Sequence, residues 1–303
     1  MINKINGLIA ATFSPIDTQG NINSKIISTY AIKLKKDGLS GVFICGTTGE
    51  GMSLSINERK LIAEEWVKYQ DNNFKIIIHV GTTSIKQSSE LAKHAQNIGA
   101  YGVSAMGPLF LKPRDIKDLI EFCNEIAKSS PELPFFYYHI PSISNVNFSM
   151  VEFINIAKLK INNFQGIKYS HNDIIELEKC VNIDNGMWNI LFGLDEMFLS
   201  GLNIGVTGFV GSSYNFTGKF VNSIIDAFKL GELEKARNKQ SLLVKSIDKI
   251  NSYDGPIVSG KKIMKLIGLD CGDCRLPLSN LKEMDLINLE KDIKRNDWDQ
   301  LFQ

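Results

Sequence analysis

Eight short apolar runs, each bounded by Gly, Pro, Asn or Asp and separated from the next by a stretch of helical spacing, constrain this chain most. In order they are GLIAATFSP (7–15), GVFICG (41–46), KIIIHVG (75–81), GVSAMGP (102–108), PFFYYHIP (134–141), QGIKYS (165–170), WNILFG (188–193) and VTGFVGSS (206–213). Most are continuously apolar, as parallel strands covered on both faces must be. The intervening segments, such as SINERKLIAEEWVKYQ, SIKQSSELAKHAQNIG and RDIKDLIEFCNEIAKSS, carry helical spacing and Ser or Asp caps, and Ser55 followed by Glu58 fits a capping box. Strand and helix alternate eight times, which argues for an α/β fold of the (β/α)8 TIM barrel type over a doubly wound open sheet. From about residue 217 onward four more helical segments follow, more than one closing helix requires. We therefore expect residues 1–216 to form the barrel core and residues 217–303 to form barrel-closing and C-terminal helices packed on it in one unit.

A chain of 303 residues suits such a barrel, and 44% hydrophobic with 22% charged residues is the composition of a globular protein. Lys plus Arg number 34 against 33 Asp plus Glu, with no polybasic run, so nucleic acid is not an expected partner. The apolar stretch in MINKINGLIAATFSP is too short to span a bilayer and no cleavage site follows it, so the sequence reads as soluble and cytoplasmic, with no membrane partner. Five scattered cysteines suit reduced thiols. The CGDC pair lacks the second CxxC or His pair of a zinc site, and no metal is expected.

Ligands of a (β/α)8 barrel sit at the C-terminal ends of its strands, which makes the polar residues there the candidates. The sixth run, in FQGIKYS, carries Lys168 inside strand-forming apolar sequence. Burying an ammonium without a partner is costly or strips its proton. Two readings stand at this point: an amine that attacks a ketone to form a Schiff base, or a structural lysine paired with a carboxylate across the barrel. The second run leads into CGTTGEG, whose Thr47 and Thr48 lie in a turn of successive amides suited to a carboxylate or phosphate, though such turns are also plain loops. The fifth places Tyr138 near the mouth and Tyr137 on the opposite face, a proton relay or simply packed aromatics. Asp195 and Glu196 follow the seventh run, where both can hydrogen-bond a polyol, and Ser212 stands at the rim after the eighth.

The blocks GTTGEGMSLSINERK, YYHIPSISNV, QGIKYS and GLDEMFLSGLNIGVTGFVGSSYN, in this order and at these separations, closely resemble the N-acetylneuraminate lyase branch of the dihydrodipicolinate synthase/lyase superfamily of class I aldolases. The resemblance covers nearly the whole chain. It implies that Lys168 forms a Schiff base with the pyruvyl ketone and that Tyr138 relays protons. Thr47 and Thr48 would hold the substrate carboxylate, and Ser170 matches a small hydroxyl residue beside the lysine. Gly193, Asp195, Glu196 and Ser212 would bind the glycerol side chain of sialic acid.

Dihydrodipicolinate synthases typically carry an arginine five residues after the tyrosine; here that residue is Ile143, which cannot grip a second carboxylate. The resemblance thus implies cleavage of N-acetylneuraminate to pyruvate and N-acetylmannosamine, with no cofactor beyond the covalent Schiff base. It also implies a homotetramer, and leaves open whether Leu109 and Phe110 reach a neighbouring site. Another pyruvate-dependent aldolase, of the dihydrodipicolinate synthase or ketodeoxy-sugar-acid kind, is the nearest rival, and a non-catalytic binding relative the more distant one. Two residues depart from the pattern: Asn145 stands where lyases usually have glycine, which puts the local turn in question, and His139 stands where many members have asparagine.

Overall fold

The computed structural model describes residues 3–295 and 298–302. Eight strands, β1 (Gly7–Ala11), β2 (Gly41–Ile44), β3 (Lys75–His79), β4 (Gly102–Met106), β5 (Phe135–His139), β6 (Phe164–Tyr169), β7 (Asn189–Phe192) and β8 (Gly208–Gly211), close into a barrel. Every neighbouring pair is parallel, and β8 returns to pair with β1. All eight expected strands are present. Most are shorter than their apolar runs, because the chain leaves the ladder early and spends the surplus on loops at the barrel mouth.

Among the described residues twelve α-helices surround this barrel: α1 (Lys25–Lys36), α2 (Ile56–Val67), α3 (Ile85–Asn97), α4 (Ile116–Ala127), α5 (Pro141–Ser144), α6 (Met150–Lys160), α7 (Ile174–Asn182), α8 (Phe198–Asn203), α9 (Tyr214–Lys229), α10 (Leu233–Asn251), α11 (Gly255–Leu266) and α12 (Glu283–Arg295). Their starts follow from local chemistry. Ser55 accepts from the Glu58 amide while Glu58 Oε2 accepts from the Ser55 amide at 2.8 Å, the reciprocal capping box read in the sequence. Asp115 caps α4 by accepting from the amides of Lys117 and Asp118. α11 begins earlier than its apolar spacing suggests, with Pro256 in its first turn, where a missing N–H costs nothing.

Strand alternation sorts the side chains into two sets. Ile9 and Ala11, Phe43, Ile77, Met106, Phe136 and Tyr138, Leu191 and Val210 point inward and form one buried cluster. Their neighbours point outward into the larger core between barrel and helices. α9 packs on β1 and closes the ring, while α10 packs against α9, α8 and α11. No helix among the described residues is long and apolar enough to cross a membrane.

Candidate active site

The barrel register decides the centre of the site. In the β5–β6 ladder Tyr138 stands opposite Lys168, so both side chains enter the barrel side by side. Lys168 is 4% exposed, with Nζ 4.0 Å from the Tyr138 ring centroid and 4.1 Å from that of Phe43. It forms no ion pair with any described carboxylate. The reading as a structural lysine paired across the barrel is therefore not what the fold builds, and no carboxylate among the described residues lies within ion-pair distance of this amine. Tyr137 faces the other way and packs on Phe153 at 4.4 Å, so the fifth run holds one tyrosine for the core and one for the mouth.

All nine residues singled out in the sequence, Thr47, Thr48, Tyr138, Lys168, Ser170, Gly193, Asp195, Glu196 and Ser212, line one cavity of about 230 Å³ at the C-terminal ends of the strands. Thr47 Oγ1 lies 3.5 Å from the Tyr138 hydroxyl. The turn carrying Thr47 is tight: Gly51 donates to the Gly46 carbonyl at 3.0 Å, and a Cβ on Gly51 would fall 1.8 Å from the Cys45 carbonyl oxygen. At Gly193 a Cβ would lie 2.1 Å from Ser170 Oγ, so glycine there is what leaves the serine hydroxyl its place. Cys45 precedes the Thr47 turn but does not line the cavity, and burial pushes its thiol up to about 11 against the pull of Arg59, which disfavours the thiolate at neutral pH.

The adjacent carboxylates divide their labour. Asp195 Oδ2 accepts from the Ser213 amide at 2.9 Å and hydroxyl at 2.6 Å, which pins the turn leaving β8. Burial raises its carboxyl above the usual range, while Ser213 and the Lys168 charge work the other way. Glu196 forms no ion pair among the described residues; burial and then the Asp195 charge raise it as well. Gln240 of α10 donates to the carbonyls of Asp195 and Glu196 at 3.2 and 3.0 Å and holds the segment in place.

Several residues of the site were missed. Ser142, Phe216, Ile247, Ile250, Asn251, Pro256 and Ile257 also line the cavity, so α10 and α11 form one wall of it. His79 lies inside the barrel against Tyr138, at 6.0 Å between ring centroids. Its Nδ1 donates to the Cys45 carbonyl at 3.2 Å and its Nε2 accepts from the Met106 amide at 3.3 Å, which assigns a neutral tautomer. Burial, then the charges of Arg59 and Lys168, hold its pKa well below the ordinary value. A buried polar residue at the end of an apolar strand, the same signal that exposed Lys168, was available for it.

Both departures from the family pattern have plain outcomes. Asn145 adopts φ 51°, ψ 27°, the left-handed conformation that glycine favours and asparagine tolerates, and its amide donates to the Pro141 carbonyl at 2.9 Å. His139 points away from the cavity into a buried ring cluster with Tyr169 and His171, and neither of its ring nitrogens has a hydrogen-bond partner among the described residues. Burial and then His171 lower its pKa to about 3. Above pH ~6.5 the ring is neutral folded or unfolded; below it only the unfolded chain takes the proton. Stability is thus expected to fall as pH drops from about 6.5 toward 3, by up to about 1.4 kcal/mol per pH unit from this residue. Urea midpoints of wild type and His139→Asn at pH 7 and pH 5 check this: the variant should lose less on acidification, and equal losses would remove His139 as the cause.

Fold and site together define a (β/α)8-barrel protein built around an unpaired lysine in a cleft of hydroxyl and carboxyl groups. The chain belongs to the dihydrodipicolinate synthetase family, whose pattern matches residues 4–296. It is 40% identical over 295 residues to an N-acetylneuraminate lyase of Rattus norvegicus, covering 96% of this chain and 92% of the relative. Among solved structures, the N-acetylneuraminate lyase of Aliivibrio salmonicida superposes with a TM-score of 0.94 at 36% identity, covering 98% of each chain. That of Proteus mirabilis superposes at 0.93 and 34% identity, over 97% of this chain and 99% of the other.

Proposed function

We propose that this protein is a Schiff-base aldolase that reversibly cleaves N-acetylneuraminate to pyruvate and N-acetylmannosamine, with Lys168 as nucleophile and Tyr138 as proton relay. The observation that carries the reading is Lys168 itself: buried, without a carboxylate partner, and level with Tyr138 across the β5–β6 ladder. Thr47 and Thr48 receive the substrate carboxylate, which brings the C2 ketone to the amine. Lys168 Nζ adds to C2, and the carbinolamine loses its oxygen as water with a proton from the Tyr138 hydroxyl, leaving an iminium and a phenolate. The phenolate takes the C4 hydroxyl proton, the C3–C4 bond breaks into the iminium, and N-acetylmannosamine departs. Tyr138 then protonates the enamine at C3, and water adds to C2 to release pyruvate and free lysine. The lysine supplies the electron sink, so the reaction needs no dissociable cofactor.

The polar wall suits a polyol chain. Ser142 lines the cavity, whereas Ile143 faces a neighbouring apolar space, and among the described lining residues Lys168 is the only Lys or Arg, which leaves none for a second carboxylate. Glu196, Ser212 and Gly193 bind the hydroxyl-bearing end of the sugar acid, joined by Asp195 through Oδ1, the oxygen that Ser213 does not hold. Glu196→Gln is expected to raise KM for N-acetylneuraminate about 10-fold or more, the worth of a hydrogen bond to a charged group, while pyruvate trapping on Lys168 stays unchanged. Equal kinetics across several sugar acids would remove Glu196 from binding.

The deciding experiment incubates the protein with N-acetylneuraminate and, separately, pyruvate, reduces each with borohydride and maps the adduct by mass spectrometry. A pyruvyl adduct on Lys168 from both, with N-acetylmannosamine released, is the expected result. An adduct from pyruvate alone would assign the substrate to another aldolase of the superfamily, and none from either would overturn the reading. We place the enzyme in the cytoplasm as a homotetramer, with residues 217–303 working as part of the barrel unit. Five free thiols favour the compartment, and the exposed pair Phe110 and Leu111, 83% and 78% accessible at the mouth, favours contact with a second copy.

A further inference from the structure

One buried ion pair has no part in the chemistry above. Glu50 closes the turn that carries Thr47 and Thr48, its amide donating to the Thr47 carbonyl at 3.0 Å. Its Oε1 lies 2.7 Å from Lys261 Nζ of α11, with the two side chains 2% and 0% exposed. Among the described residues it is the only ion pair with both partners fully buried. Such a pair gains little for stability over apolar residues of the same volume, so its geometry is the better guide to its use.

That geometry is a clamp. Lys261 Nζ also donates to the Asp273 carbonyl at 2.9 Å, and Glu50 Oε2 accepts from the Arg275 amide at 2.7 Å. The Arg275 guanidinium reaches on to Glu58 at 2.9 Å and the Ser53 carbonyl at 3.2 Å, on the far side of the same turn. The turn needs holding, because Cys45 at φ 55° and Glu50 at φ 53° both take left-handed conformations that side chains other than glycine resist. Such conformations persist where the surroundings over-determine them. Here the surroundings are α11 and residues 273–275, and α11 also brings Pro256 and Ile257 to the cavity wall.

We infer that Glu50 and Lys261 are positioning residues that set Thr47 and Thr48 at the distance the substrate carboxylate requires, coupling the C-terminal helices to recognition of the α-keto acid. The inference rests on Lys168 being the Schiff-base nucleophile. Pyruvate and pyruvamide share the ketone and differ in the carboxylate, so the ratio of their borohydride trapping rates on Lys168, at concentrations well below saturation, reads carboxylate recognition apart from nucleophile reactivity. Glu50→Gln is the direct variant. Because it strands a buried ammonium, the double variant Glu50→Met with Lys261→Met, which removes both charges, is measured beside it.

A misplacement of about 1 Å can cost ~10²-fold. The double variant is therefore expected to lose pyruvate trapping about 10²-fold with little change for pyruvamide, so the ratio collapses. A ratio equal to that of wild type, whatever the absolute rates, overturns the inference and leaves the pair a part of the scaffold. A wild-type protein that traps neither compound overturns the aldolase reading itself, and does so before any variant is made.

Discussion

Lys168→Ala protein mixed with N-acetylneuraminate should release no N-acetylmannosamine above background and keep its unmodified mass after borohydride. The expected loss of turnover is on the order of 10⁶, as when a covalent nucleophile is removed from a working site. The nearest other reactive or charged groups among the described residues are already engaged. Cys45 is held protonated by burial, Asp195 is bound to Ser213, and Lys261 is tied to Glu50 and Asp273. Truncation uncovers the ring faces of Phe43 and Tyr138 that Lys168 now covers, a defect of about 1–3 kcal/mol that a barrel core tolerates. Lys168→Arg separates the two losses. It keeps a cation over the rings but offers no nucleophilic amine, so it should fold like wild type and trap nothing. An adduct that moves to another lysine in either variant would mean that the assignment is wrong.

Lys168 was legible because a strand covered on both faces has no ordinary use for a charge. The same logic made the eight-fold alternation readable: parallel strands must be apolar throughout, and that pattern survives without neighbours. Strand ends did not survive as well. The first run continues through Phe13 to Pro15, yet β1 stops at Ala11, because the limit is set by the partner strands and not by the run. The Thr47–Thr48 turn and the Asp195–Glu196 pair were found as polar residues at strand ends, but their different duties were not. Asp195 is taken up by Ser213, a partner that only the closure of β7 beside β8 provides. The wall from α10 and α11 and the clamp on Glu50 were out of reach for the same reason. Arg275 lies 225 positions from the residue it holds, and no periodicity or cap encodes a contact that the fold makes at such separation.

Tyr138→Phe is the sharper test of mechanism, because it removes one oxygen and leaves the packing intact. The ring keeps its place 4.0 Å below Lys168 Nζ, edge-on to Phe43 at 5.5 Å and to His79 at 6.0 Å. What disappears is the hydroxyl proposed to give and take protons at the ketone oxygen, the C4 hydroxyl and C3, and with it the 3.5 Å contact to Thr47 Oγ1. Turnover should fall by about 10²–10⁴, the range for a lost general acid–base group, while pyruvate is still trapped on Lys168, more slowly, since attack by the amine does not require the phenol. Thr47→Val should cost less than Tyr138→Phe, and adding it to Tyr138→Phe should cost less than it does alone. Two side chains whose hydroxyls touch at the reacting centre do not fail independently if the contact tunes the phenol. Full additivity would mean that Thr47 serves only the carboxylate, and unchanged turnover in Tyr138→Phe would place the relay on another group.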